Sequence, residues 1–360
     1  MMELRFRRVF LEKRYPLRIS RGVSGSATNL FVLASEDGVT GVGEMCPGVL
    51  TGCASAEEGE RALTEFAHRL PAGITPHDAW RAGREAGVAP CALAALDMAL
   101  WDLLAKRLGA PLHRVLGLPR RAVATSVTIG INPPEVTRER VPEILRQTGG
   151  RFLKIKLGSP DGVGADQAHF LAAREAAAGV GGIGLRVDAN GGWSPEDARV
   201  MMRWLADRGV DYVEQPLHMD ALDYLPALFR DRPLPIYLDE SCRFASDIPA
   251  WAAHVDGINL KLMKCGGITE ALRIVAVARA FGLGTMIGCM GESQVSIAAG
   301  ASLSALFDHI DLDSHLNLVN DPSSGTEFVD GAVLPLDRPG HGGELTEMTA
   351  AAGPAAGDSC

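Results

Sequence analysis

The sequence predicts an α/β fold: a modified (β/α)8, TIM-like barrel that stops at its eighth strand, (β/α)7β, joined to a smaller α+β domain made by the N-terminal part and the C-terminal tail. Two observations predict the barrel. From Ala122 onward short apolar runs alternate with segments of helical spacing, and the repeat is about 25 residues, the length of one strand-helix unit. The residues closing successive runs are acids and lysines, as where strand ends open on one barrel face. The third observation concerns the start of the chain, which alternates like an antiparallel sheet and then turns helical.

In order, residues 3–45 read as a meander, with Leu30-Phe-Val-Leu and Val39-Thr-Gly-Val-Gly-Glu-Met on either side of the turn signal Glu36-Asp-Gly. Within it, 18–28 is rich in Gly and Ser with two arginines and is expected to be a mobile surface loop. A helix starts at Ser55, with Glu58 placed for a capping box, and 91–108 is an Ala- and Leu-rich helix interrupted by Asp97 and Asp102 and ended by Gly109-Ala-Pro. Eight apolar runs follow, the second being Phe152-Leu-Lys-Ile-Lys-Leu and the last His309-Ile-Asp-Leu-Asp, with capped helical segments such as 194–208 and 267–281 between them. No good helix follows the eighth run. The expected division is 1–120, 121–320 for the barrel, and 321–360 returning to the first domain, with a disordered tail from about 350. A doubly wound open sheet is the competing fold, but no GxGxxG stands at a first strand-to-helix turn.

With 360 residues, 47% of them hydrophobic, the chain can bury a large core. The first residues lack a signal-peptide core and no run is long enough to span a membrane, so a cytoplasmic location without membrane partners is expected. Seven scattered cysteines, without a CxxC, fit free thiols. The net charge of −9 and the lack of a basic stripe argue against nucleic acid. Homo-oligomerisation is left open.

Lys154 and Lys156 stand two apart in an apolar run and share one face of a strand. Either this is an edge strand with its charges in water, or the two ammonium groups serve a site. The later strand ends bear on the choice: they supply Asp188, Glu214, Asp239 and Lys261, at intervals of 26, 25 and 22 residues. Three acids on neighbouring strand ends repel one another unless a cation sits among them, and a hard divalent ion such as Mg²⁺ suits oxygen donors. Each acid alone also reads as a turn, strand stop or N-cap. Asn190 and Glu240, beside the trio, either support it or face solvent. A metal on a substrate carboxylate stabilises the enediolate formed when the α-proton leaves, and a lysine near that cation serves as base. Lys156 and Lys261, on strands two and six, would face the α-carbon from opposite sides, one removing and one returning a proton. Lys154 would tune Lys156 and meet the substrate carboxylate, and Lys264 is expected to be a loop or helix-cap residue. The nine histidines close no strand, which disfavours zinc chemistry.

The set Lys154-Ile-Lys156, Val187-Asp-Ala-Asn190, Glu214-Gln-Pro216, Asp239-Glu-Ser241 and Lys261-Leu-Met-Lys-Cys-Gly-Gly267 resembles the enolase superfamily, muconate-lactonising-enzyme subgroup, over most of the chain. The resemblance implies a capping domain at the N-terminus, Asp188, Glu214 and Asp239 as Mg²⁺ ligands, and Lys156 and Lys261 as the acid/base pair. Asp311-Leu-Asp313 resembles the DxD signature of dipeptide epimerases, whose acids receive the α-ammonium of a dipeptide, although Ser314-His315 departs from the usual continuation; a turn-forming Asp at a strand end is the plainer reading. Ile19-Ser-Arg-Gly22 resembles the loop of L-Ala-D/L-Glu epimerases in which an arginine, here Arg21, meets a side-chain carboxylate. Thr128, on the first barrel run, is a further substrate-binding candidate. The expected activity is Mg²⁺-dependent inversion at the α-carbon of a dipeptide's C-terminal residue, with L-Ala-L-Glu the first substrate to try. The rivals are o-succinylbenzoate synthase or N-succinylamino acid racemase, then muconate cycloisomerisation, and a non-catalytic metal-binding relative.

Overall fold

The computed structural model describes residues 2–346; the tail expected to be disordered and Cys360 lie outside the described residues. Strands β1 (Glu3–Ile19), β2 (Gly22–Glu36) and β3 (Val39–Met45) form an antiparallel sheet in that order, as the alternation implies. The segment 18–28 is not a loop. Leu17, Arg18 and Ile19 pair with Ser24, Val23 and Gly22, so it is the end of the β1–β2 hairpin, and only Ser20 and Arg21 make the turn. Its Gly and Ser content signals local freedom, but the partner strand and the barrel override it. A register shift between Glu12 and Leu17 bends the hairpin, and Asn317 holds the bend by accepting from Tyr15 N at 3.0 Å and donating to Tyr15 O at 2.8 Å.

Helices α1 (Ala56–Ala67), α2 (Pro76–Glu85), α3 (Pro90–Arg107) and α4 (Leu112–Val115) follow. Ser55 caps α1 by accepting from Glu58 N, while the Glu58 carboxylate reaches back to Ala54 N rather than to the cap residue. The central helix α3 is buried nearly all round, and the two acids that break its apolar pattern are docking points. Asp97 accepts from Thr269 Oγ1 at 2.5 Å, and Asp102 accepts from Val42 N and His341 N, both at 2.9 Å. Strand β3 lies so close to α3 that a Cβ on Gly43 would stand 2.0 Å from Ala95 O, and one on Gly41 would stand 2.0 Å from Ala99 O. Gly43→Ala is therefore expected to destabilise the protein by about 1–3 kcal/mol, read as a lowered urea midpoint with an unchanged slope.

The eight apolar runs are eight parallel strands: β4 (Ser126–Ile129), β5 (Phe152–Lys156), β6 (Gly184–Asp188), β7 (Val210–Glu214), β8 (Ile236–Leu238), β9 (Gly257–Lys261), β10 (Gly284–Gly288) and β11 (His309–Asp311), hydrogen-bonded in sequence order. A parallel bridge between Thr125 and Ile310 joins the last strand to the first. Helices α5 (Pro134–Thr148), α6 (Val163–Ala178), α7 (Pro195–Ala206), α8 (Leu225–Arg230), α9 (Ile248–Trp251), α10 (Leu262–Cys265), α11 (Ile268–Ala280) and α12 (Gln294–Ala301) lie between them. Among the described residues, β11 is followed only by a 3₁₀ turn, Ser314–Asn317, and then the short pairs β12 (Ser323–Ser324) with β15 (Glu344–Leu345) and β13 (Thr326–Val329) with β14 (Ala332–Pro335). This last segment reaches the first sheet where His341 Nε2 donates to Val42 O at 2.7 Å.

The sheet is fixed over the barrel mouth by Glu44 of β3. Its carboxylate accepts from Ser293 Oγ at 2.7 Å, Ser293 N at 3.0 Å and Ser296 N at 3.2 Å, so it caps the N-terminus of α12. Cys46 N lies 3.3 Å from Met263 Sδ on α10, so the chain leaving β3 also packs on the mouth. No helix among the described residues is long and apolar enough to cross a membrane.

Candidate active site

Strand β5 is interior to the barrel, between β4 and β6, which removes the edge-strand reading of its lysines. Lys154 is fully buried and Lys156 is 7% exposed. Two buried ammonium groups on one face demand partners, and the next strand ends supply them. Lys154 Nζ stands 2.6 Å from Glu214 Oε2, 2.6 Å from Asp311 Oδ2 and 3.2 Å from Asp188 Oδ2. Lys156 Nζ donates to Asp188 Oδ2 at 2.6 Å, and across the mouth, four strands away, Lys261 Nζ donates to Asp239 Oδ2 at 2.7 Å. The structure thus gathers Lys154, Lys156, Asp188, Glu214, Asp239 and Lys261 at one end of the barrel.

The charges decide which acids are ionised. Burial opposes ionisation of Asp188, but the ammonium groups of Lys156, Lys154 and Lys261 outweigh it and hold its pKa well below the usual carboxylate range. For Asp239, burial is likewise overcome by Lys261 and Lys264. Glu214 goes the other way: burial, then the charge of Asp188, lift it to about 7 against the pull of Lys154. Burial lowers the pKa of Lys154, yet Asp311, Glu214 and Asp188 together raise it well above the ordinary lysine value.

Several residues near this cluster act through others. Asn259, two positions before Lys261 on the same face of β9, donates to Glu214 Oε1 at 2.8 Å. Gln215 joins two strand ends, its Oε1 accepting from Asp239 N at 3.0 Å and its Nε2 donating to Ser241 Oγ at 2.8 Å. Sequence reasoning missed both, although the period of two leading back from Lys261 singles out Asn259. Gln215 and Asn190 hold left-handed backbone at φ 37° and 45°, a cost that non-glycine residues sustain where a site fixes them. Lys264 is neither a loop nor a helix-cap residue: it lies within α10, is 1% exposed, and its ammonium bonds the Asp239 carboxylate.

Asn190 and Glu240 both face the trio's surroundings. Asn190 N donates to Asp188 Oδ1 at 2.8 Å, and its Nδ2 lies 3.2 Å from Asp188 Oδ2 and 3.3 Å from Glu240 Oε1. The hairpin turn comes down on this pair. Ser20 Oγ donates to Asn190 O at 2.9 Å, and Arg21 donates to Asn190 O at 2.5 Å and to Glu240 Oε1 at 2.7 Å. The Arg21 guanidinium is therefore already matched with a buried carboxylate.

On the other side of the mouth, Asp311 is bound to Lys154 and its second oxygen, Oδ1, is buried without a hydrogen-bond partner. Asp313 lies two residues past the strand, where its Oδ2 accepts from Thr128 N at 2.6 Å. Burial, then the charge of Asp311, raise Asp313 to about 6. Thr128 meets Asp313 through its backbone N–H. Ser314 fills the position after the pair by exchanging hydrogen bonds with the backbone of Glu292, at 2.7 and 3.1 Å.

Family models match both parts of the chain: "Mandelate racemase / muconate lactonizing enzyme, N-terminal domain" over residues 1–117 and "Enolase C-terminal domain-like" over 136–349. A hydrophobic dipeptide epimerase of Roseobacter litoralis is 62% identical over 346 residues, covering 96% of this chain and 99% of the relative. The chain belongs to the dipeptide epimerases of the enolase superfamily. Among solved members of this family, the L-Ala-D/L-Glu epimerase of Bacillus subtilis, in a substrate-liganded complex, superposes with a TM-score of 0.89 at 29% identity, covering 96% of this chain and 99% of that one. The dipeptide epimerase of Enterococcus faecalis, solved with Mg and L-Leu-L-Tyr, superposes with a TM-score of 0.86 at 32% identity, covering 95% and 98%. A dipeptide epimerase is an isomerase that inverts one stereocentre, and in this chain Lys156 and Lys261 stand on strands four apart, each bonded to an acid of the trio.

Proposed function

We propose that this chain epimerises dipeptides of hydrophobic residues at the α-carbon of the C-terminal residue, by two-base proton transfer between Lys156 and Lys261 with Mg²⁺ as cofactor. The observation that carries the reaction is the placement of these lysines on β5 and β9, opposite each other, each held by an acid of the trio. One lysine removes the α-proton and the other delivers a proton to the opposite face, which inverts the centre.

Among the described residues no three acid, histidine or cysteine side chains are already gathered as a metal-ligating group, because lysine ammonium groups lie between the acids. The donor set nevertheless fits Mg²⁺: Asp188, Glu214 and Asp239 are hard oxygen donors, at most 1% exposed, on adjacent strands, and Glu214 Oε2 is met by the Lys154 ammonium, a cation where the metal would bring another. These three would hold the ion, which supplies positive charge to the substrate carboxylate as the α-proton leaves. Lys154, in the centre of the acids, adds a second positive charge to that carboxylate. Asp311 and Asp313 receive the α-ammonium.

The choice of side chain moves away from glutamate. An acidic C-terminal residue needs a free cation in the pocket, and Arg21 is engaged with Glu240 and Asn190 O. The name of the Roseobacter litoralis relative supports the same shift. The test is α-proton exchange by NMR in D₂O with Mg²⁺. L-Leu-L-Tyr and L-Ala-L-Leu are expected to exchange at least about tenfold faster than L-Ala-L-Glu, the size of effect that one unmatched buried charge produces. Faster exchange of L-Ala-L-Glu would return Arg21 to the role of a carboxylate receptor. Exchange confined to N-succinylamino acids would replace the dipeptide with the racemase substrate.

A further inference from the structure

We propose that Lys264 is a positioning residue that sets the affinity for the divalent cation by clamping Asp239; the inference rests on the reading of Asp239 as a Mg²⁺ ligand. Lys264 lies on the short helix α10, just after the strand that carries Lys261, and its side chain turns back beneath the mouth. Its ammonium bonds both the side chain and the backbone of Asp239, contacting Oδ1 and, at 2.5 Å, the carbonyl oxygen. It also donates to Asn259 O at 3.1 Å and lies 3.3 Å from Cys242 O. These acceptors come from the middle of β9 and from Asp239 and the chain just after it, so one charge ties β9 to the end of β8 beside it.

The cost of this arrangement shows what it is for. Desolvating an ammonium and a carboxylate costs several kcal/mol per ion, and a well-packed apolar pair of similar volume serves folding as well or better. The contacts of Lys264 have a different result: they fix the plane of a carboxylate. With Oδ1 held by Lys264, the other oxygen, Oδ2, is turned toward Lys261 and the mouth. Asp239 then offers a cation one oxygen in a fixed direction, without first losing rotational freedom. Partners that orient a ligand in this way typically govern metal affinity by 10- to 100-fold. Asn259 carries out the matching task for Glu214, and its own backbone oxygen is one of the Lys264 acceptors, so the lysine supports two of the three acids.

The experiment is calorimetric titration of the metal-free full-length protein with MgCl₂, comparing the wild type with Lys264→Met, which keeps the length of the side chain, and Lys264→Gln, which keeps a donor without the charge. Lys264→Met is expected to bind Mg²⁺ about 10- to 100-fold more weakly, with turnover restored as MgCl₂ is raised to saturate the variant, and Lys264→Gln to fall between it and the wild type. A purely structural lysine would lower the unfolding temperature in EDTA and leave Mg²⁺ affinity within about threefold of the wild type, and that result overturns the proposal. Should Lys264→Met fail to fold, Lys264→Gln decides by the same criterion. A wild type that binds no Mg²⁺ overturns the metal assignment itself, an outcome distinct from equal binding by wild type and variants.

Discussion

Lys156→Met and Lys261→Met are each expected to slow the conversion of an L,L-dipeptide to its L,D isomer by about 10²–10⁴-fold or more, yet each is expected to retain hydrogen exchange from one stereoisomer only. A two-base site requires this asymmetry. The lysine left in place still removes the α-proton on its own side and returns deuterium there, while the face that lost its lysine cannot be reprotonated. Lys156 and Lys261 lie on strands four apart in the ring, so neither substitutes for the other. Incubating the L,L and the L,D isomer separately in D₂O and following the α-proton by NMR distinguishes the two variants. Exchange of both isomers by either variant would point to a single base with access to both faces. The asymmetry also separates chemistry from folding. Each substitution breaks a buried ion pair, with Asp188 or Asp239, which can cost about 3–5 kcal/mol, but a destabilised fold would reduce exchange from both isomers alike.

What the sequence revealed about this site, and what it hid, follows from where each interaction is encoded. The trio Asp188, Glu214 and Asp239 was legible because a strand-helix repeat fixes where strand ends lie, and an acid recurring once per unit needs no tertiary knowledge to be noticed. Lys154 and Lys156 were legible for a related reason, since the period of two places them on one face. The hairpin end is hidden from the sequence. Gly and Ser report what the backbone is free to do locally, whereas residues 18–28 are held by β1–β2 pairing and by the barrel, through Ser20 and Arg21 on Asn190 and through Asn317 on Tyr15. Lys264 reads from the sequence as a loop or helix-cap residue because it lies three positions past a strand end, but the one-turn helix α10 carries its ammonium to Asp239. Arg21 shows the limit of a motif. The sequence placed it at the pocket, but Glu240, more than two hundred residues away in the chain, decides whether its charge is free.

Asp313→Asn separates the recognition of substrate from the stability of the fold, and the two are expected to change in opposite directions. If Asp313 receives the α-ammonium as proposed, it contributes a charge-assisted contact, and removing one member of such a buried pair costs about 2–5 kcal/mol, so kcat/KM for a dipeptide is expected to fall by roughly 30- to 5,000-fold, mostly in KM. An N-succinylamino acid, which brings no ammonium, should lose nothing comparable. In the free protein the same carboxylate is a liability. Burial and the neighbouring Asp311 raise its pKa from 3.8 to about 6, so the folded state holds a proton that the unfolded state has already released between those values. The stability tied to this group is complete below pH 4 and is lost as pH rises to about 6. Above that, ionised Asp313 is a penalty, on the order of 1–3 kcal/mol once screening by water at a half-buried side chain is allowed for. Asp313→Asn removes the penalty and keeps an oxygen for Thr128 N, so at pH 7 the variant should melt higher than the wild type while binding dipeptides far more weakly. In the wild type, kcat/KM for dipeptides should decline as pH falls through about 6, where Asp313 becomes neutral, and that inflection should be missing from the variant. A variant that melts lower and keeps wild-type KM would show that Asp313 only holds the turn beside Thr128 and that the ammonium is met elsewhere.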